Sequence, residues 1–139
     1  ETAKAAGLII AIENEVGFWA DTGERTANII HRINHPNLKV NWDPANAFLE
    51  GDLPYPEGYQ HIRGLVHHVH FKDAMHREIG GSKLVAEGDI DWVGQIKALA
   101  ADNYTGFISI ETHLRPKIAT AKAALDRAKK IIDQAGCAV

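Results

Sequence analysis

The sequence predicts an α/β fold in which four strands form a parallel sheet and helices connect them. Two observations lead to this class. Short apolar runs alternate regularly with helix-like stretches, as in consecutive βα units, and each run ends near a residue that can bind a metal or a substrate, as at the carboxyl ends of parallel strands. The 139 residues, 45% of them hydrophobic, are enough for one domain, 1–139, with its own core.

The first half of the chain is predicted to hold two strands and a helix. A continuous apolar run follows Gly7 at 8–12, which is typical of a strand buried on both faces. A helix is expected from about 21–24 to 33, because apolar residues recur there at helical spacing. The run at 38–42 is the second strand, and it ends at Asp43.

Pro54, Pro56 and Gly58 predict a loop in the middle of 45–64, with a short helix at about 57–63. The stretch from Ala74 to Gly88 is also read as a loop, and its Gly80-Gly81 pair is too weak a signal for a phosphate cradle. The remaining predicted elements are a strand at 65–71, a helix from Asp89 or Asp91 to about 101, a strand at 107–110 and a helix from Pro116 to about 134.

Composition excludes several classes of protein. A net charge of −3 and a pI near 6.2 do not resemble the basic stripe of a nucleic-acid binder. The longest apolar run, 8–12, is far too short for a membrane span, and the first residues show no signal-peptide pattern, so we expect a cytoplasmic protein. Cys137 is the single cysteine, which rules out a disulfide within the chain and a thiolate metal site.

Potential metal ligands stand at the ends of all four predicted strands. Glu13 ends the first, Asp43 the second and Glu111 the fourth, while His70 lies near the end of the third. Each carboxylate alone is most simply a capping or surface group. Three carboxylates and an imidazole at equivalent positions form a ligand set suited to Mn²⁺, Mg²⁺, Co²⁺ or Zn²⁺.

The third strand is rich in histidine. Alternation places His68, His70 and Lys72 on one face, and His67 on the other. His67 and His68 lie at the start of the strand, away from the ligand-bearing end, and are read as structural. Lys72 is two residues beyond His70 on the same face, where its ammonium group can polarise a substrate oxygen.

Five stretches resemble, in order, motifs of the xylose isomerase-like sugar phosphate isomerase/epimerase superfamily, whose TIM barrels include ketose 3-epimerases, inosose dehydratase and endonuclease IV. The resemblance covers nearly the whole chain. The stretches are Ile12-Glu13-Asn14, Asn41-Trp42-Asp43-Pro44-Ala45-Asn46, His68-Val69-His70-Phe71-Lys72-Asp73, Glu87-Gly88-Asp89-Ile90-Asp91-Trp92 and Ile110-Glu111.

The resemblance implies a (β/α)8 TIM barrel of which this chain supplies about four βα units, the C-terminal half. It implies that Glu13, Asp43, His70 and Glu111 hold one divalent metal ion, and that Glu13 and Glu111 are also the catalytic acid/base pair. The same resemblance places Asn46, Lys72 and Glu87 near the substrate.

The implied function is a metal-dependent isomerase or epimerase of a sugar or sugar phosphate, working through a metal-stabilised enediolate. Two alternatives stay open: an inosose-type dehydratase with the same ligands, and a half-barrel that binds metal or sugar without turnover. Endonuclease IV has many more histidines, so DNA repair is disfavoured. The expected partner is a small sugar, with neither nucleic acid nor membrane.

The open edges of four strands predict homo-oligomers or pairing with a missing N-terminal half. The helix-end pattern of Glu1 to Gly7 favours truncation of a longer chain.

Overall fold

Four strands form one parallel sheet in chain order, β1-β2-β3-β4, which confirms the predicted α/β class. The computed structural model describes residues 1–75, 83 and 86–137. Its strands are β1 (Ile10–Glu13), β2 (Leu38–Trp42), β3 (Val66–Phe71) and β4 (Phe107–Ile110). Because consecutive parallel strands are neighbours, all four carboxyl ends lie at the same edge of the sheet.

Helices connect the strands, and three of them begin at a side chain that caps their free N–H groups. Thr22 accepts from the Arg25 amide, Asp43 from the amides of the next turn, and Asp91 from the Gly94 amide. None of the described helices is long and apolar enough to cross a membrane. The helices are α1 (Thr2–Ala5), α2 (Gly23–Ile33), α3 (Pro44–Leu49), α4 (Tyr59–Ile62), α5 (Trp92–Ala101) and α6 (Lys117–Gln134), with a kinked π-helical segment at Pro54–Gly58 in which Tyr55 has extended dihedral angles.

One face of the sheet packs against the helices and forms the core. Val40, Trp42, Val69 and Phe71 are buried there, and Phe71 stacks on Trp92 of α5 with ring centroids 3.9 Å apart. The opposite face presents the alternate residues of the same strands, including the histidines predicted to share a face. This alternation is what directs polar side chains away from the core and towards one site.

One prediction about the elements is wrong, and one helix was not predicted. The first strand is not buried on both faces: it runs from Ile10 to Glu13 and leaves Leu8 and Ile10 exposed, because β1 is an edge strand in this chain. The segment 45–64 begins with a helix, α3, which the Pro54–Gly58 region obscured. Asp43-Pro44 is its cap and first residue, a pairing typical of helix starts.

The structure matches the helix end predicted at the start of the sequence and describes only part of the loop predicted after β3. Helix α1 and the positive φ of Gly7 (67°) match the helix end predicted at the start of the sequence. The predicted loop from Ala74 to Gly88 is described only in part, and Gly80-Gly81 lies outside the described residues.

Replacing Gly23 tests how closely α2 approaches the π-helical segment. A Cβ atom at Gly23 would overlap the Gly58 carbonyl oxygen, so we expect Gly23→Ala to lower the free energy of unfolding by about 2 kcal/mol, measured by denaturant titration. Gly64→Ala is the control, because Gly64 has open space and only its φ of +77° is unfavourable, at a cost of about 1 kcal/mol. A Gly23→Ala variant as stable as the wild type contradicts the close approach.

Candidate metal centre

The four predicted ligands converge at the carboxyl edge of the sheet. One donor atom from each of Glu13, Asp43, His70 and Glu111 lies within 4.8 Å of all the others. In a flat sheet β1 and β4 would be about 14 Å apart, three strand spacings. Convergence therefore requires a curved sheet, and the longer glutamate side chains stand on the outer strands, where the reach is greatest.

His70 lies at the centre of the cluster. Its Nδ1 atom is 3.0 Å from Glu13 Oε1, 3.5 Å from Glu111 Oε2 and 3.9 Å from Asp43 Oδ2. The hydrogen bond to Glu13 raises the pKa of His70, against the opposing effect of burial. Nδ1 is thus the imidazole atom that faces all three carboxylates.

The Asn41 amide lies behind the imidazole and can set its tautomer. Its Nδ2 is 3.1 Å from His70 Nε2, while its buried Oδ1 has no hydrogen-bond partner among the described residues. Because Nδ2 can only donate, Nε2 accepts with its lone pair, and the imidazole proton stands on Nδ1 beside Glu13 Oε1. A metal ion bound at Nδ1 would take the place of that proton.

Lys72 contacts the centre from the side of β3. Its ammonium nitrogen is 2.7 Å from Asp43 Oδ2, 2.9 Å from Glu111 Oε2 and 2.9 Å from Asn46 Oδ1. Burial alone would lower the pKa of Lys72, but these carboxylates outweigh it and the pKa is raised. Burial would likewise raise the pKa of Glu111, but Lys72 reverses this and lowers it. Both groups are therefore charged near neutral pH.

Asp43 is the ligand most removed from water. Its side chain is 0% exposed, compared with 31% for Glu13 and 34% for Glu111. Burial raises the pKa of Asp43 to about 7, and the nearby ammonium of Lys72 opposes that rise. A cation close to a buried carboxyl group stabilises its ionised form.

The donor set fits a divalent cation. Within the described part of the chain, the buried oxygens Asp43 Oδ2 and Glu111 Oε2 accept no hydrogen bond of good geometry, although both lie near the Lys72 ammonium. Three carboxylates with one imidazole suit Mn²⁺, Mg²⁺, Co²⁺ or Zn²⁺. Which ion is bound stays a prediction.

Asn14 ties the ends of β1 and β2 together. Its Nδ2 donates to the Asp43 carbonyl at 2.7 Å, and its Oδ1 accepts from the Asp43 amide at 2.7 Å. The Asn46 amide donates to the Asn14 carbonyl at 2.9 Å. Because Asn14 directly follows Glu13, this buried bridge fixes two ligands relative to each other.

Asp73 holds the segment that follows β3. Its buried carboxylate accepts from the amides of Ala74, Ala86 and Gly88 at 2.9 to 3.0 Å, and more weakly from Ile90 at 3.3 Å. Burial raises the pKa of Asp73, and these amides oppose the rise. Both described ends of the segment are thereby fixed beside Lys72.

Of the three residues predicted to lie near the substrate, two adjoin the cluster of ligands and one pairs with a helix. Asn46 and Lys72 adjoin the centre. Glu87 pairs with Arg127 of α6. Their roles towards a substrate stay predictions.

Three contributing residues were not singled out from the sequence: Asn14, Asn41 and His113, whose Nε2 is 3.6 Å from Glu111 Oε1. Asn14 and Asn41 do stand within stretches that resemble family motifs, which is the signal that could have pointed to them.

Comparison with known proteins gives one family and several structural relatives. The model of a family described as xylose isomerase-like TIM barrel matches residues 1–133. A 3-dehydroshikimate dehydratase of Bacillus anthracis is 29% identical over 66 residues, which cover 48% of this chain and 23% of that protein.

Two solved structures share the fold over nearly the whole chain. A D-tagatose 3-epimerase-like protein has a TM-score of 0.79 at 22% identity, over 96% of this chain and 50% of the other. A xylose isomerase domain protein from Planctomyces limnophilus has a TM-score of 0.77 at 20% identity, over 96% and 48%. At these identities the likeness shows the fold alone.

Removing the Asn14 bridge tests whether it positions the ligands. Asn14→Ala leaves buried backbone groups of Asp43 without partners, so we expect a loss of about 3 kcal/mol in the free energy of unfolding. Mn²⁺ affinity, measured by calorimetry, should fall roughly 10- to 100-fold. Asn37→Ala is the matched control, because the Asn37 amide bonds to an exposed carbonyl, that of Leu8. Unchanged Mn²⁺ affinity in Asn14→Ala would show that Asp43 is positioned by other contacts.

Proposed function

The chain belongs to the xylose isomerase-like TIM-barrel family, and on that premise we propose that it forms part or all of a divalent-metal-dependent isomerase or epimerase of a sugar. The family match confirms the resemblance drawn from the sequence motifs, and the four-stranded sheet is a partial barrel of this type. The chain spans about half the length of the solved relatives. The activity, substrate and partners of the whole protein are therefore proposals, and the cytoplasmic location stays a prediction.

The observation that supports this function most is the unequal exposure of the ligands. The side chains of Glu13 and Glu111, at the ends of the outer strands, are about one-third exposed. The Asp43 side chain, at the end of β2, is fully buried. We infer that a substrate approaching from solvent lies between the two glutamates, which extend from the two outer strands. That is the placement required of two groups that exchange a proton with one carbon atom.

Residues of this chain can remove and return the proton on the substrate carbon next to the carbonyl group. When bound, a divalent cation supplies positive charge that offsets the negative charge developing on the substrate oxygens. One glutamate takes the proton from the carbon next to the carbonyl, which gives an enediolate, and a glutamate returns it. Return by the other glutamate on the opposite face inverts the carbon, which is epimerisation. The Lys72 ammonium, which contacts Asp43, Glu111 and Asn46, adds positive charge at the same place.

A dehydratase is the second candidate, because the curated relative at 29% identity is a dehydratase. Its first step is the same: a glutamate takes the proton next to the carbonyl. The neighbouring C–O bond then breaks, and the leaving hydroxyl takes a proton and departs as water. Lys72 and His113 are the described groups beside Glu111 that can supply that proton.

We also propose that the free edges of β1 and β4 pair with other strands, either in a second copy of this chain or in four N-terminal βα units. β1 and β4 each have one strand neighbour within the described sheet. Both edges also carry exposed apolar side chains, among them Ile10 and Phe107. Unpaired backbone groups beside such side chains favour strand addition.

Exchange of substrate protons with solvent tests the proposed chemistry. We expect the purified chain with Mn²⁺ in D₂O to exchange one C–H proton of a ketose, ketose phosphate or inosose, followed by NMR. Glu13→Gln and Glu111→Gln should each slow exchange at least about 100-fold, because each loses a proton acceptor. Glu24→Gln is the control, since Glu24 is exposed in the first turn of α2.

The products separate the candidate functions. An isomer or epimer supports the first candidate, and loss of water supports the dehydratase. Mn²⁺ binding without exchange of any substrate in the panel would falsify both and leave a binding half-barrel.

Sedimentation velocity tests the pairing of strand edges by a second copy. We expect the chain to self-associate at micromolar concentration, and Ile10→Lys to weaken association because it places a charge on the β1 edge. Ile118→Lys is the matched control, since Ile118 is an exposed apolar residue of helix α6 and not of β1. A chain that stays monomeric, or equal effects of both variants, contradicts pairing through this edge.

A further inference from the structure

Two large aromatic side chains stand in solvent on the turn that follows β1. Trp19 is 91% exposed and Phe18 is 67% exposed, whereas Ala20 and Asp21, directly after them, are buried. Isolated exposed apolar residues are ordinary. Two adjacent ones beside a cavity are unusual enough to require an explanation.

The turn is held by its own hydrogen bonds. The Glu15 amide donates to the Ala20 carbonyl at 2.8 Å, which closes the turn, and the Phe18 amide donates to the Glu15 carbonyl at 3.2 Å. The Gly17 amide donates to Glu50 Oε2 at 3.1 Å, which ties the turn to the end of α3. Phe18 and Trp19 are therefore presented on a fixed support, at little further cost in conformational entropy.

A cavity of about 610 Å³ lies beside the two aromatic rings. This volume is within the roughly 300–1,000 Å³ of small-molecule sites. An ion pair between Arg25 Nη1 and Asp21 Oδ2 at 2.6 Å forms part of its polar wall. We call it the aromatic cavity, and its lining residues are Gly17, Phe18, Trp19, Asp21, Arg25 and Glu50.

The chemistry of the aromatic cavity suits a neutral polyhydroxylated ring. Aromatic faces pack against the C–H groups of such a ring, and carboxylates and a guanidinium bind its hydroxyls in pairs. Asp21 and Glu50 together outnumber Arg25 by one charge, which disfavours a phosphate group. A sugar ring without phosphate suits both the aromatic side of the cavity, Phe18 and Trp19, and its charged side, Asp21, Arg25 and Glu50.

The aromatic cavity adjoins the metal centre without overlapping it. Its turn starts two residues after Glu13, and its other side is the end of α3, whose cap is Asp43. At 1.5 Å per residue, Glu50 is about 10 Å from Asp43 along the helix. A group bound in the cavity therefore lies beyond the carbons that react at the metal centre. It can be covalently linked to them within one substrate.

We propose that the aromatic cavity is a second carbohydrate subsite, and that the substrate carries an unphosphorylated sugar ring linked to the reacting one. This inference rests on the proposed function and adds the substrate class to it: a glycosylated ketose instead of a free monosaccharide. Trp19 and Phe18 pack on the added ring, and Arg25 and Glu50 bind its hydroxyls.

Tryptophan fluorescence can test the subsite directly. The chain has three tryptophans, and Trp42 and Trp92 are buried, so Trp19 is the one open to a quencher. We expect the ketose disaccharide isomaltulose to shield Trp19 from acrylamide, and fructose not to. Calorimetry should give isomaltulose an affinity roughly tenfold above that of fructose. Trp19→Ala should remove this difference, and Trp19→Phe should keep most of it.

The controls separate this inference from the proposed function. Phe107→Ala removes an equally exposed aromatic ring outside the cavity and should leave the tenfold preference intact. Asp43→Asn disables the metal centre and should leave shielding of Trp19 intact. Shielding without proton exchange overturns the proposed chemistry and supports the subsite.

Three results would overturn the subsite itself. The first is equal affinity for both sugars, and the second is a preference that survives Trp19→Ala. The third is shielding of Trp19 that rises with protein concentration in the absence of sugar, which would assign the cavity to contact with a second copy.

Discussion

Three carboxylates crowd around one imidazole nitrogen, and much of the surrounding structure offsets the cost of that crowding. Like charges within 4.8 Å repel each other, and burial adds to the cost at Asp43, whose pKa rises to about 7. The ammonium of Lys72 and the imidazole of His70 supply the nearest positive charge. A centre built in this way favours a cation electrostatically, which is the physical basis for proposing a metal ion there.

The fold divides the ligands into a rigid pair and an accessible pair. Asp43 and His70 stand on the inner strands, where the amides of Asn14 and Asn41 hold them from behind. Glu13 and the residue after β4, Glu111, stand on the outer strands, with longer side chains that reach inward and stay partly in solvent. Orientation by neighbouring groups suits ligands that must keep their place, and exposure suits groups that must exchange protons.

The sequence predicted that Glu13, Asp43, His70 and Glu111 lie together because their positions depend on strand periodicity. The bounds of β2 and β4 and the shared face of His68 and His70 follow from local pattern alone. The Asn14 bridge could not be predicted in this way, because its partner at Asp43 is 29 residues away. The exposure of β1 and the pairing of Glu87 with Arg127 likewise depend on which elements become neighbours.

The exposed apolar side chains fall into two groups with different causes. Ile10 and Phe107 belong to strands that each have one neighbour in the described sheet, so the proposed closure by further strands would account for both the side chains and the backbone. Trp19 stands on a turn outside the strands, in which the Glu15, Gly17 and Phe18 amides already have partners. The charged wall beside it also differs from the sheet edges. Strand pairing alone therefore does not account for Trp19, and the proposed ring-shaped ligand would account for both its exposure and its polar neighbours.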